Sequence, residues 1–169
     1  MQRSRTDFAV RRTQTGLGLF ATRIIPRGKR IIEYTGPRIS NEEAESRRGK
    51  YFFGVNKKWS IDGSPRTNTA RYINHSCKPN AEPIISGSRI WIWSRKNIKP
   101  GDEITYDYGK EYFEGVIKPK GCRCEKCAAE RKELRAKRLR RAVRGEKPSS
   151  LSESNLRARG RAVASAPES

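Results

Sequence analysis

The four cysteines constrain the fold of this chain more than any other feature. Cys122, Cys124 and Cys127 lie within six residues, and Cys77 stands far upstream in RYINHSCKPN, residues 71–80. A disulfide between Cys122 and Cys124 would be strained, because a single residue separates them. Clustered thiolates on a short loop instead suit a tetrahedral zinc ion, which takes four ligands of this kind. A four-cysteine zinc site would hold the segment after residue 121 against the segment around Cys77.

His75, the single histidine of the chain, is the alternative fourth ligand, because it lies two residues before Cys77. Cys77 is favoured, since four thiolates form a complete soft ligand set and leave the imidazole for other work. In a reducing compartment, clustered cysteines are more often metal ligands than disulfides. The remaining interpretation is that the four thiols are unrelated, either free or buried.

The net charge of +20 indicates that polyanions are among the partners of this chain. It exceeds the roughly 2–8 charges that keep a small domain soluble, and it favours nucleic acid over an anionic membrane. Residues 128–169 carry 12 Lys+Arg against 5 Asp+Glu and contain no Phe, Trp or Tyr. We expect a nonspecific contact between this basic tail and nucleic acid, and a core confined to the earlier residues. A merely well-solvated surface is the alternative.

Two features of the sequence bear on location. No apolar run approaches the roughly 18–20 residues of a membrane span, and the first residues, MQRSRTDF, lack the apolar region of a signal peptide. We expect an intracellular protein without membrane contact. It would lie in the cytoplasm or nucleoid of a bacterium, or in the nucleus of a eukaryote.

Short strands separated by Gly and Pro are predicted for the first 115 residues. The candidates are FAVRRT, KRIIEYTG, KKWSID, SRIWIWSR and DEITYDYG. The run IWIW, residues 90–93, predicts a strand that is buried on both faces. Ser40 and Glu43 form a capping box that predicts a short helix, which Gly49 can end. A second helix is predicted over residues 125–144, with too thin an apolar stripe to belong to a core, and a disordered segment follows it.

Four motifs occur in order along the chain. They are GLGLF (16–20), EYTG (33–36), RYINHSC (71–77) and EITYDYG (103–109), and the cysteine cluster follows them. Together they resemble the SET-domain protein lysine methyltransferases over about residues 7 to 128, with the cluster as a post-SET segment. The cluster reads C-x-C-x2-C, whereas the family usually has C-x-C-x4-C. In the family this segment helps to form the lip of the channel at the active site, so we expect that lip to have a different shape here.

The resemblance implies a fold and its domain boundaries. The expected fold is mainly β: small curved β-sheets with a knot-like crossing and short helices, followed here by a basic C-terminal helix and tail. The expected segments are a SET domain at 7–115, a zinc-binding post-SET segment at 116–128, and the basic helix and tail at 129–169.

The resemblance also implies S-adenosylmethionine as methyl donor and a structural zinc ion. The implied zinc ligands are Cys77, Cys122, Cys124 and Cys127. The residues implied to line the donor pocket are Gly16, Leu17, Gly18, Tyr51, Arg71, Tyr72, Asn74 and His75. The glycines would let the main chain approach the donor, and Asn74 and His75 would hold its adenine and amino-acid ends.

Three tyrosines are the implied catalytic residues. Tyr108 would orient the lysine amine and the methyl group, Tyr34 would help to form the lysine channel, and Tyr106 would influence how many methyl groups are added. A lysine with a pKa of about 10.4 is protonated at neutral pH. The sulfonium charge and a dry channel both disfavour a second cation and would lower that pKa. A phenol at position 106 can hold a water where a further methyl group would lie, which predicts mono- or dimethylation.

Two functions remain open from the sequence. The first is a lysine methyltransferase acting on a histone, a histone-like protein or another basic protein. The second is a non-catalytic, zinc-stabilised module that binds nucleic acid or chromatin. Asn74, His75 and Tyr108 are all intact, which favours the enzyme, because a decayed enzyme need not retain them.

Overall fold

A computed structural model describes residues 7–13, 16–47 and 49–145 of the protein. Short strands make up most of its regular structure before residue 107. The strands are β1 Phe8–Thr13, β2 Gly16–Ala21, β3 Arg30–Tyr34, β4 Arg38–Ser40, β5 Phe52–Gly54, β6 Trp59–Asp62, β7 Asn74–His75, β8 Ala81–Ser86, β9 Arg89–Ser94 and β10 Glu103–Tyr106. The helical segments are α1 Asn41–Arg47, a 3₁₀ turn Thr69–Tyr72, α2 Lys110–Tyr112, a π-helical turn Phe113–Ile117, α3 Lys118–Lys120 and α4 Glu125–Val143.

The strands of the described residues form three small sheets. Their orders are β1-β2-β10-β7, β3-β9-β8 and β4-β6-β5. The pair β7–β10 is parallel and sets Asn74 opposite Thr105 and His75 opposite Tyr106. This pair brings two of the predicted motifs side by side. The prediction of a mainly β fold with short helices is confirmed, and the knot-like crossing stays a prediction.

The core of the first 128 residues is built from aliphatic side chains of all three sheets and of the segments between them. The fully buried members include Leu19, Ile25, Ile73, Ile90, Ile92, Ile98 and Ile104. Strand β9 buries Ile90 and Ile92, whereas Trp91 on its other face is half-buried. The guanidinium groups of Arg30 and Arg89 lie 4.4 and 4.7 Å from the Trp91 ring. The strand therefore buries one face completely and covers the other with cations, rather than with the second apolar layer that was expected.

One of the two hydrogen bonds of the predicted capping box of α1 is present, because the Ser40 hydroxyl accepts a hydrogen bond from the Glu43 N–H at 3.1 Å. Helix α4 covers nearly all of the predicted range, and its apolar side chains Leu134, Leu139 and Val143 are exposed. Such a helix gains little from apolar burial, as the thin stripe indicated. The segment after Gly145, which was predicted to be disordered, lies outside the described residues.

The chain divides into two compact units, Met1–Ala128 and Ala129–Ser169. The first unit contains the three sheets and the four cysteines, and the second contains most of α4. The finer boundary at residues 115–116 stays a prediction. Across the described ranges, no helix combines the length and the apolar character that a membrane crossing requires.

Candidate active site and metal site

A cleft of about 1180 Å³ opens on the first unit. The predicted site residues that line it are Gly16, Leu17, Tyr34, Tyr51, Arg71, Tyr72, Asn74, Tyr106 and Tyr108. These residues come from β2, β3, the position before β5, the 3₁₀ turn, β7, β10 and the turn after β10, so the fold gathers them from distant parts of the sequence. Gly18 and His75 do not line the cleft, although both were predicted to lie at the donor pocket.

Aromatic rings form one connected wall of the cleft. The ring centroids of Tyr106 and Tyr108 are 4.9 Å apart, and that of Phe53 lies 5.4 Å from Tyr34 and 6.0 Å from Tyr106. Tyr112 packs edge-on against Tyr108 with centroids 5.3 Å apart. Sequence reasoning missed Phe53 and Tyr112. The position of Tyr112, four residues after Tyr108, was the one available signal, since residues at this spacing meet when the chain turns into a helix.

The hydroxyl groups of two wall tyrosines donate to backbone carbonyls. Tyr108 Oη donates to the Ile73 carbonyl and Tyr34 Oη to the Tyr51 carbonyl, each at 2.7 Å. Each oxygen then has only acceptor capacity left for a bound amine. A glycine is required at position 63, because a Cβ there would lie 2.2 Å from Tyr34 Oη.

The wall tyrosines are neutral at physiological pH. Burial raises the pKa of Tyr34, Tyr106 and Tyr108 above the ordinary value for a phenol, and the neighbouring phenol groups add to this effect. These side chains can therefore accept or donate hydrogen bonds at neutral pH but cannot act as phenolate bases.

Arg71 presents an unsatisfied donor in the wall of the cleft. Its guanidinium carbon lies 3.9 Å from the centroid of the Tyr51 ring and 5.6 Å from that of Tyr72, and Nη1 donates to the Ser64 carbonyl. Arg71 Nε is buried and finds no hydrogen-bond partner among the described residues. A buried N–H without a partner costs free energy, so this atom is suited to an acceptor on a ligand.

His75 connects the cysteine cluster with Tyr108. The Tyr108 N–H donates to His75 Nδ1 at 3.3 Å, and His75 Nε2 lies 3.3 Å from Cys77 Sγ. Burial lowers the pKa of His75, although Asp107 opposes this shift. Because Nδ1 of the neutral ring accepts the hydrogen bond from Tyr108, the ring proton lies on Nε2, which donates a hydrogen bond to the Cys77 sulfur.

The four cysteines form one cluster with the dimensions of a metal site. Their sulfur atoms all lie within 4.8 Å of one another. Cys77 Sγ is 3.8 Å from Cys122 Sγ and 3.6 Å from Cys127 Sγ. Zinc–sulfur bonds of about 2.3 Å in a tetrahedron place the sulfurs about 3.8 Å apart. The cluster can therefore hold a metal ion, with Cys77 rather than His75 at the fourth corner.

The four thiols of the cluster do not ionise equally. Burial and the neighbouring thiols raise the pKa of Cys77 above its ordinary value. Burial also acts to raise the pKa of Cys124, but hydrogen bonds from the backbone N–H groups of Cys127 and Cys77 and from the thiols of Cys122 and Cys127 outweigh it and lower that pKa to about 7. A bound cation would stabilise all four thiolates together.

Comparison with known proteins gives a family and a set of relatives. Residues 16–109 match the SET domain family. Histone-lysine N-methyltransferase Set2 of Drosophila melanogaster is 39% identical over an alignment of length 128, which covers 68% of this chain and 5% of that protein. Histone-lysine N-methyltransferase ASHH1 of Arabidopsis thaliana is 34% identical over an alignment of length 114, which covers 60% of this chain and 23% of that protein. Histone-lysine N-methyltransferase 2D of Homo sapiens is 41% identical over an alignment of length 105, which covers 55% of this chain and 2% of that protein. The chain thus spans less than a quarter of each of these relatives.

Proposed function

The chain belongs to the SET domain family, and from this premise we propose that it is a protein-lysine N-methyltransferase that uses S-adenosylmethionine. The observation that carries the proposal is a single cleft lined by Arg71 and Asn74 together with the neutral tyrosines Tyr34, Tyr106 and Tyr108. The relatives are named as histone-lysine methyltransferases. We therefore infer that the acceptor is a lysine of a histone, a histone-like protein or another basic protein.

The cleft residues fit the methyl donor. When bound, S-adenosylmethionine supplies a methyl group on a positively charged sulfonium. The unpartnered Arg71 Nε would donate to an acceptor atom of the donor molecule, and the Asn74 side chain would accept from one of its N–H groups. Gly16 and Leu17 line the same cleft. Because Gly16 has no side chain, the ligand would have room to approach the main chain there.

The tyrosine wall is proposed to hold the lysine amine for attack. Tyr108 Oη donates its proton to the Ile73 carbonyl and can accept an N–H of the neutral amine. Tyr34 and Tyr106 would exclude water and orient the alkyl chain. His75 would not act as a base, because both of its ring nitrogens are engaged. Rate acceleration then comes from orientation and electrostatics, together with a lowered lysine pKa in a dry channel.

The cysteine cluster is proposed to hold zinc in a structural role. Four thiolates would fill the tetrahedral coordination shell and leave no position for a catalytic water. The sulfur spacing and the choice of soft ligands support zinc over metals that prefer oxygen. The metal would fix Cys77, and through it the segment that contains Asn74 and His75.

Transfer of a labelled methyl group tests the proposed activity. The full chain is incubated with S-adenosylmethionine labelled on the methyl group and with histones or a bacterial basic-protein fraction, and acid hydrolysis identifies the labelled residue. We expect label on lysine. If the chain does not bind S-adenosylmethionine at millimolar concentration but still binds nucleic acid, the result would instead support the non-catalytic module.

Replacing Tyr106 by phenylalanine is expected to shift the products towards trimethyllysine. Tyr106 is buried against Tyr108 and Phe53, and its hydroxyl would hold a water where an additional methyl group has to fit. Mass spectrometry of the acceptor peptide should show mono- and dimethyl products with the wild type and a raised trimethyl fraction with Tyr106→Phe. Mainly trimethyl product from the wild type would refute this account.

The basic second unit is proposed to contact nucleic acid nonspecifically. Helix α4 exposes many cations, including Arg135, Arg138 and Arg140. Replacing these three residues with glutamine should reduce the slope of the logarithm of affinity against the logarithm of salt concentration. The expected reduction is up to about 0.9 for each phosphate that the protein no longer neutralises. Binding of the full chain to duplex DNA and to RNA, measured over a salt series, gives the slope.

A matched variant removes three exposed cations of the first unit. Lys57, Lys58 and Lys99 are exposed and distant in sequence from α4. Their replacement with glutamine should change the slope less than the α4 variant does. Equal effects of the two variants would show that α4 has no special part in binding. If the α4 variant has the larger effect, binding of α4 to nucleic acid would hold the enzyme on chromatin or on a bacterial nucleoid.

A further inference from the structure

Glu103 lies next to the proposed donor site without lining the cleft. It begins β10, where it pairs with Phe20 of β2, and its Oε1 accepts a hydrogen bond from Asn74 Nδ2 at 2.7 Å. The same amide nitrogen donates to the Leu17 carbonyl at 3.0 Å. One carboxylate therefore joins β10 to β7, the strand that presents Asn74 to the cleft.

These two contacts determine which way the Asn74 amide faces. An ionised carboxylate and a backbone carbonyl only accept hydrogen bonds, so the amide must direct its NH₂ group towards Glu103 and Leu17. Asn74 Oδ1, for which the described residues provide no donor, is then the atom left for a ligand. It can accept from an amino or ammonium group of the methyl donor.

Gly18 provides the space that the Glu103 carboxylate occupies. A Cβ at position 18 would lie 2.4 Å from Glu103 Oε1 and 2.7 Å from Thr13 Cγ2. The second glycine of the GLG motif thus leaves the space in which the Glu103 carboxylate lies, and a larger residue would force that carboxylate to move. The role in close approach of the donor, which the resemblance implied for Gly18, stays a prediction.

We propose that Glu103 is a positioning residue of the donor site, which orients the Asn74 amide so that Oδ1 accepts an N–H of the bound methyl donor. The inference rests on the proposed function, because it requires that the cleft bind S-adenosylmethionine. Glu103 acts through Asn74 and needs no contact with the reacting atoms.

Calorimetric titration of the full chain with S-adenosylmethionine tests the proposal through a double-mutant cycle. Loss of one charge-assisted hydrogen bond lowers affinity about tenfold. Glu103→Ala and Asn74→Ala should therefore each raise the Kd for S-adenosylmethionine about tenfold. The double variant should bind no more weakly than the weaker single variant, because both changes remove the same oriented acceptor. Glu103→Gln keeps an acceptor oxygen and should restore the Kd to within about threefold of wild type.

Asn80→Ala serves as the structural control, because Asn80 precedes β8 and anchors the same strand, β10, by other contacts. Asn80 Nδ2 donates to the Glu103 carbonyl, and its Oδ1 accepts from the Thr105 N–H, both at 2.8 Å. This variant weakens the anchoring of β10 but leaves the Glu103 carboxylate in place. We expect a lower unfolding temperature with donor affinity close to wild type.

The outcomes separate the proposal from the function on which it rests. A wild-type chain that does not bind S-adenosylmethionine contradicts the proposed function. A wild type that binds, with a Glu103→Ala variant of equal affinity, overturns the positioning role. Fully additive losses in the double variant overturn it as well, as does an Asn80→Ala variant that loses as much affinity as Glu103→Ala.

Discussion

Tyr108→Phe is expected to lower the rate of methyl transfer about 100-fold, the loss typical of removing one preorganised polar group from an active site. The hydroxyl of Tyr108 donates to the Ile73 carbonyl, which leaves its oxygen to accept from the attacking amine. Phenylalanine keeps the ring contacts with Tyr106, Tyr112 and His75 but removes this acceptor. Single-turnover transfer of labelled methyl to an acceptor peptide gives the rate.

Two controls separate chemistry from folding in the Tyr108→Phe variant. Its unfolding temperature should fall by only about a few degrees, because the ring packing is kept and a single hydrogen bond, to the Ile73 carbonyl, is lost. Its affinity for S-adenosylmethionine should also stay close to wild type, because the hydroxyl is assigned to the amine. A variant that keeps more than half of the wild-type rate would contradict the role given to Tyr108.

Cys77→Ser is expected to reduce metal binding and donor binding together. Cys77 Sγ contacts the sulfurs of Cys122 and Cys127, and its N–H is directed at Cys124 Sγ at 3.5 Å. A structural zinc ion contributes an apparent binding free energy of about 10–16 kcal/mol, much of which is folding free energy. Elemental analysis should find far less than one zinc per chain, with a lowered unfolding temperature and a raised Kd for S-adenosylmethionine.

The matched control for Cys77→Ser is Lys78→Gln. Lys78 is the next residue and is exposed, so its replacement should leave metal content and donor affinity unchanged. Loss of zinc from the Cys77→Ser chain with donor affinity unchanged would contradict the proposed link between the metal and the donor site. Full zinc content in that chain would contradict the assignment of Cys77 as a ligand.

The strands that sequence reasoning found are those with β-branched and aromatic residues. Five strands were missed: β2, β4, β5, β7 and β8. β4, β5 and β7 are only two or three residues long, and β2 and β8 each contain residues that disfavour strands. β2 reads GLGLFA, and glycine has no side chain to pack on a sheet. β8 contains Pro83, which is tolerated because β8 is the edge strand of its sheet.

The parts of the candidate site that could be predicted are those marked by short sequence motifs or by the number of cysteines. The pairing of Cys77 with a distant cluster followed from the number of thiols and the needs of a tetrahedral metal. Phe53 and Glu103 could not be found in this way, because their roles arise from contacts between segments far apart in the sequence. The space that Gly18 leaves for the Glu103 side chain likewise depends on the pairing of β2 with β10, which a local sequence pattern does not specify.

Titration calorimetry of the full, zinc-loaded chain with S-adenosylmethionine tests the central claim most directly. The cleft that holds Arg71, Asn74 and Tyr108 is assigned to this donor, so we predict saturable binding of one molecule per chain. Absence of any binding at millimolar S-adenosylmethionine, from a chain shown to be folded and to contain zinc, would contradict the account.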